Sequence, residues 1–296
     1  MEVGSHSPWI SRFFEGLAHE VLVANPRKVR AISANERKCD ELDAMMLARL
    51  GRVDPKLLYP IEHGTEESQR DLLQVKLRDN LVRQRVDIIS SVRFTLKSLG
   101  VKVSSPNTNC FAKRARAELG AVDVELLKMV EPSLNVIELL TTQIKELGRR
   151  IEEIGVNRYP ETLRLRQIAG IGPITALTYL LVIGDKERFG NSRDVGSYLG
   201  LVPKRDQSGK LDKQLRISKA GDAYLRRLLV SAAQYALGPF GPPCDLRSHG
   251  LKLAERGGRG AKKKAVIAIA RKLAVVMHTL LVRECDYEPE RGGKTA

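Results

Sequence analysis

The sequence predicts an α/β fragment followed by a mainly α chain, made of a front piece, a long helical segment and a helical back domain. Three observations lead there. A single apolar, β-branched run stands in the first sixty residues (EVLVAN, 20–25), residues 65–99 run without a proline or glycine, and after Tyr159-Pro160 short elements alternate with glycine turns. These changes divide the chain into residues 1–60, 61–158 and 159–296, and 296 residues are enough for about two domains with their own cores.

Ser7 and Pro8 suit the N-cap and first position of a helix reaching about Ala18, EVLVAN reads as a short strand, and Pro26 opens a further helical turn. A lone strand leaves its N–H and C=O groups unpaired on both edges, so it requires neighbours. Since no later segment offers an obvious sheet, the chain reads as beginning partway through an α/β domain. Within 65–99, Leu77, Leu81, Ile88, Val92, Leu96 and Leu99 lie close to helical spacing. GVKVSSPNTN (100–109) breaks this helix, and a second helical region runs from Phe111 to Ile154, bent or interrupted near Pro132. Ile137, Leu140, Ile144, Leu147, Ile151 and Ile154 then follow at heptad spacing. That spacing fits an antiparallel helical hairpin, a coiled coil between subunits, or packing within one subunit.

In the back domain, LRQIAGIGPITALTYLLVIGD (165–185) reads as helix, glycine turn, helix, which resembles a helix-hairpin-helix element. Gly170 and Gly172 permit positive φ and close backbone approach, Pro173 suits the start of the second helix, and Ala176 lets the helices pack tightly. N–H groups exposed at such a start suit a phosphate, although an ordinary αα-hairpin would look the same. LGLVP (199–203) reads as an extended segment, RDQSGK as a turn, and LDKQLRI (211–217) as a returning strand.

Charge is distributed unevenly along the chain. The formal net charge is +15, yet residues 155–296 hold 26 Lys and Arg against 13 Asp and Glu, whereas residues 1–154 hold 24 against 22. A basic surface of this kind fits nucleic acid, held through neutralised phosphates, or serves as a solvated surface. Four cysteines (Cys39, Cys110, Cys244, Cys285) lie far apart with no CxxC pair, which argues against a zinc ribbon or a disulfide framework. No unbroken run of about 18 apolar residues appears and the start lacks a secretory pattern, so the expected compartment is the cytoplasm, with no membrane partner.

Six basic residues, Lys204, Arg205, Lys210, Lys213, Arg216 and Lys219, surround Ser208 against only Asp206 and Asp212. Ser-Gly in a polar turn is ordinarily structural. A cationic rim is nonetheless what phosphoryl transfer to a serine requires around the equatorial oxygens. No histidine lies near to activate the hydroxyl. Ser218 suits a helix N-cap, ahead of Arg226 and Arg227, which add to the basic surface. Arg259, Lys262, Lys263 and Lys264 form a basic stretch suited to phosphate contact, before an apolar helix (about 265–282) in which His278 reads as packed. Asp40 and Asp43 share one face at a helix start, where capping explains them or, with Glu2, coordination of Mg²⁺.

Taken in order and spacing, GIGPITA, RFGNSRDVGSYLGLVPKRDQSGK and RISKAGDAYLRRLLVSAA resemble the C-terminal domain of the insertion-sequence "one-ten" group of transposases, relatives of the Piv-type DNA invertases. NPRKVRAISANERKCDELDAMMLARL resembles the last part of that family's RuvC-like (RNase H-like) DEDD domain. The resemblance implies an enzyme that cuts and rejoins donor and target DNA, guided by a structured RNA. It implies that Ser208 attacks the phosphodiester to form a phosphoserine link, and that Glu2, Asp40 and Asp43 bind Mg²⁺ beside it in a dimer or tetramer. The family's first aspartate has no counterpart here, so the front piece is expected to be a truncated RuvC-like domain. Two other readings remain: an inactive remnant that only binds nucleic acid, and a metal-dependent junction-resolving nuclease.

Overall fold

The computed structural model describes residues 1–29, 39–104, 107–208, 211–258 and 260–290, with the side chains of 205–208 and 211–214 outside that description. The chain forms two units, Met1–Ser68 and Gln69–Ala296.

In the first unit, α1 (Ser7–Gly16) starts with Pro8 in its first turn and α2 (Asp40–Val53) carries Asp40, Glu41 and Asp43 in its first turn. The strand expected over 20–25 is reduced to a parallel bridge between Glu2 and Ala24. Its backbone is nevertheless satisfied on both edges. The Ala24 N–H donates to the Met1 carbonyl (2.7 Å), and Ile61 N–H donates to the Val23 carbonyl (2.9 Å) from the other side. Val23, Ala24, Val29 and Leu58 form the buried centre of this unit.

The second unit opens with α3 (Glu66–Ser98), followed by α4 (Phe111–Val122) and α5 (Val124–Arg158). The interruption expected near Pro132 falls instead at Asp123. That residue is extended at φ −156° and its side chain accepts from Leu126 N–H (2.9 Å), a cap that stops one helix and starts the next. Pro132 lies inside α5. α3 and α5 run antiparallel, with Val75 and Ile151 in one apolar cluster and Ile89 and Ile137 in another. Between these clusters the buried Arg85 donates to Thr141 Oγ1 (3.1 Å). Asp71, buried, accepts from Arg158 and from the Tyr159 hydroxyl (2.9 Å). The heptad positions Ile137, Ile144 and Ile151 are thus buried within the chain.

The rest of the second unit comprises α6 (Glu161–Leu165), α7 (Pro173–Ile183), α8 (Asp194–Tyr198), the strands β1 (Pro203–Ser208) and β2 (Leu211–Ile217), and the helices α9 (Ala223–Leu237), α10 (Asp245–Glu255) and α11 (Ala261–Arg283). α11 is the axis of the core, with Ile269, Ala270, Leu273, Ala274 and Met277 fully buried. It is long and apolar enough to cross a membrane by length and composition, and half of its apolar window is covered by the protein itself. β1 and β2 pair antiparallel, and among the described residues no helix packs extensively against either strand.

Candidate nucleic-acid interface

The turn expected over 205–210 is mostly strand. The ladder pairs Arg205 with Gln214, Asp206 with Lys213, Gln207 with Asp212 and Ser208 with Leu211, so Ser208 is the last paired residue of β1. Gly209 and Lys210, which join the strands, lie outside the described residues, as do the side chains of Arg205, Ser208 and Lys213. A register shift between Pro203 and Arg205 marks an irregularity near the root. Among the cations with described side chains, Lys204, Arg216 and Lys219 are exposed.

The root of the hairpin is a close backbone crossing. Gly200 (φ +66°) lies so near the facing chain that a Cβ would sit 2.2 Å from the Ala220 nitrogen, and a Cβ at Gly221 (φ +67°) would sit 2.2 Å from the Tyr198 carbonyl oxygen. Only glycine fits either place. Ser218 N–H donates to the Val202 carbonyl (2.9 Å) and Lys219 N–H to the Gly200 carbonyl (3.1 Å). Asp222, rather than Ser218, caps α9, accepting from Leu225 N–H (2.8 Å).

Two arginines expected on the phosphate-facing surface have partners within the chain, Arg226 half-buried and Arg227 exposed. Arg226 Nη1 donates to the carbonyls of Leu199 (3.0 Å) and Ala220 (2.6 Å), which ties α9 to the hairpin root. Arg227 pairs with Asp79 of α3 (2.6 Å) and stands over the Tyr224 ring. The sequence signal for this role was the glycine pair around the segment, which demands a close crossing that something must hold.

Gly170 adopts φ +89°, and a Cβ there would lie 3.1 Å from the Ala232 carbonyl oxygen of α9 and 3.1 Å from Tyr235. Gly172 is the N-cap of α7, with open space beyond its Cα. α6 is five residues long, so the element before the turn is a single helical turn and a half. Lys262, Lys263 and Lys264 lie exposed in the first turn of α11, and Arg259 falls outside the described residues. His278 is buried, between Ser192 Oγ (3.0 Å) and the Lys186 carbonyl (3.1 Å), as a packed core residue.

The acids are less concentrated. Glu2 and Asp40 are exposed, Asp43 is half-buried, and α2 has no buried residue. Among the described residues no group of three His, Cys, Asp or Glu side chains is placed to hold a metal ion. Glu2, Asp40 and Asp43 are not gathered into such a group among the described residues. A separate cleft of about 790 Å³ lies beside α8 and α11, where Arg193, Arg271 and Lys272 mix with Asp194, Asp245 and Asp286. Its mixed signs set it apart from the uniformly basic surfaces.

Basic charge concentrated in one half of the chain, with a hairpin whose described residues pack on little besides each other, is the pattern of the class of proteins that handle phosphate polymers. Comparison with known proteins narrows this class. Residues 163–244 match the profile of the "Transposase IS116/IS110/IS902 family", and residues 1–100 match a second profile, of the DEDD type, described as a transposase. The chain is 30% identical to the transposase for insertion sequence element IS1111A of Coxiella burnetii, over 96% of this chain and 77% of that protein. It is 30% identical to the transposase for insertion sequence element IS1328 of Yersinia enterocolitica (79% and 69%), and 26% identical to the pilin gene-inverting protein of Moraxella lacunata (91% and 75%). The chain belongs to the IS116/IS110/IS902 family of transposases. Membership supports a transposase or recombinase function, and the DEDD-type match suggests a divalent-metal dependence in general.

Proposed function

We propose that this protein cuts and rejoins the DNA of an insertion element through its β1–β2 hairpin, with Ser208 as the nucleophile. The observation behind this reading is the ladder register, which ends β1 at Ser208 beside the connection between two basic strands. A two-stranded hairpin without a covering helix is marginally stable alone. DNA lying along it would complete its packing while the cations meet the phosphates. In the step itself, Ser208 Oγ forms a bond to phosphorus, one bridging P–O bond breaks, and the serine proton ends on the departing sugar oxygen. Rejoining reverses this, with a sugar hydroxyl displacing the serine, so no external energy source is required.

The front unit takes the part of the RuvC-like piece and the α6–turn–α7 segment that of the helix-hairpin-helix, with a structured guide RNA and further copies of the chain as partners. Glu2, Asp40 and Asp43 enter no step of this scheme. The test uses the full chain with a supercoiled plasmid carrying the element and its flanking DNA, quenched in detergent. A covalent protein–DNA adduct is expected from the native chain and from Ser218→Ala, and none above background from Ser208→Ala. Peptide mass spectrometry should place the linkage on Ser208. An undiminished adduct from Ser208→Ala, or cleavage without any adduct, would refute the serine mechanism, the latter in favour of hydrolysis.

A further inference from the structure

A second cationic surface lies away from the hairpin, along one edge of the α10–α11 pair. His249 and Lys252 lie on α10 with Arg256 following as its C-cap, and Lys264 lies on α11 eight residues before Lys272, which also borders the mixed-sign cleft. Leu253 of α10 and Arg256, its C-cap, meet Ala261, Lys264, Ala265 and Ala268 of α11 around a notch of about 340 Å³. Lys252, Arg256, Lys264 and Lys272 are exposed, and among the described residues none has a carboxylate or hydrogen-bond partner. Arg226 and Arg227 differ in each having a partner within the chain, backbone carbonyls for the first and Asp79 for the second.

We infer that this edge is a docking face, separate from the hairpin, for the phosphate backbone of double-stranded DNA. The inference rests on the DNA-handling reading above and adds a place and a mode of contact to it. Arg256 and Lys264 line the notch together with Leu253, alanines and glycines, so a strand can approach closely with a cation from either segment. Single-strand binding relies on aromatic stacking platforms, and no aromatic side chain lines this notch. From His249 to Arg256 the face runs about 10 Å at 1.5 Å per residue, and from Lys264 to Lys272 about 12 Å. At about 3.4 Å of axial rise per phosphate on one strand, that length spans about three phosphates.

His249 is a built-in reporter. Burial lowers its pKa, and Lys272 from α11 with Arg256 and Lys252 from its own helix lower it further, all as positive neighbours. A polyanion docked among those cations cancels their field, so the imidazole should protonate at higher pH when the face is occupied.

The experiment follows the ¹³C-labelled His249 ring by NMR, assigned through His249→Gln, in the full chain with and without a 20-base-pair duplex, as DNA in one arm and RNA in the other. Anisotropy titrations at several salt concentrations accompany it. They compare the native chain with Lys252→Gln/Arg256→Gln/Lys264→Gln and with the hairpin variant Lys204→Gln/Arg216→Gln. The expected result is an upward shift of the His249 titration on duplex addition, retained in the hairpin variant. The triple variant should lose about three phosphate contacts, making the log K against log salt slope shallower by about 2 to 3. Its affinity at 50 mM salt relative to 200 mM should accordingly change about fortyfold less than that of the native chain. A response to the DNA duplex upholds the proposal, and a response to the RNA duplex alone overturns it. If the duplex binds but His249 titrates unchanged and the triple variant keeps the native slope, this inference falls while the DNA-handling reading stands. If no duplex binds the native chain at any salt, both fall.

Discussion

Gly170 and Gly172 offer the sharpest division between a glycine needed by packing and one left open. Alanine at 170 must hold φ near +89°, and its Cβ would meet the Ala232 carbonyl oxygen and Tyr235 at 3.1 Å each. The left-handed backbone alone costs an L-residue about 1–2 kcal/mol, and easing the two contacts adds a few tenths, so Gly170→Ala should destabilise by about 2 kcal/mol. For a unit of this size that corresponds to a Tm lower by about 4–8 °C. Gly172 has φ −90° and ψ 177° with nothing near its Cα, so Gly172→Ala should stay within about 0.5 kcal/mol of the native chain. Differential scanning calorimetry of the two variants at equal concentration reads both. The reasoning is refuted if Gly170→Ala melts with the native protein, or if Gly172→Ala falls as far.

Arg226→Met removes two charge-assisted bonds to half-buried carbonyls and should cost about 2–3 kcal/mol, against under about 1 kcal/mol for Arg227→Met, which loses a partly exposed pair. Urea unfolding of both variants checks the order, and the reverse ranking would contradict the role given to the hairpin root. Burial, with the Cys244 thiol and Asp245 nearby, pushes the Tyr287 hydroxyl up to about 12. The folded state therefore keeps a proton that the unfolded chain has released, and stability present below pH 10 should be lost as pH rises through 12. Screened by solvent, this amounts to about 1–2 kcal/mol. Burial also pushes Tyr179 and Tyr224 up, so absorbance titration at the phenolate band should show the late-titrating amplitude fall by one tyrosine in Tyr287→Phe, and an unchanged late amplitude would count against it.

Local pattern made some of this architecture legible. The run without proline or glycine from 65 to 99 became α3 almost to the residue, because nothing in it interrupts backbone hydrogen bonding. Pro132 misdirected the second boundary: a proline costs an interior helix one bond, whereas Asp123 supplies a cap that ends one helix and begins another. EVLVAN has strand composition, yet its partners are the chain start and residues 58–61, contacts that no periodicity reveals. The candidate site reads in sequence as a basic segment around a serine. What charge counting misses is direction: Arg226 and Lys204 look alike in sequence, but one meets carbonyls and the other solvent. His249 and Lys272 are brought together only by the turn between α10 and α11, across more than twenty residues of chain.

The antiparallel pair of α3 and α5 has a mechanical consequence. At 33 and 35 residues these helices are struts about 50 Å long. They are anchored at one end by Val75, Ile151 and Leu177 and by the Asp79–Arg227 tie, and closed at the other by the apolar cluster around Phe111 and Leu119. A tilt of about 5° at the anchored end would sweep the distal tip through about 4 Å, close to the axial repeat of a nucleic acid strand. Whatever grips that tip holds a long arm on the hairpin's own foundation.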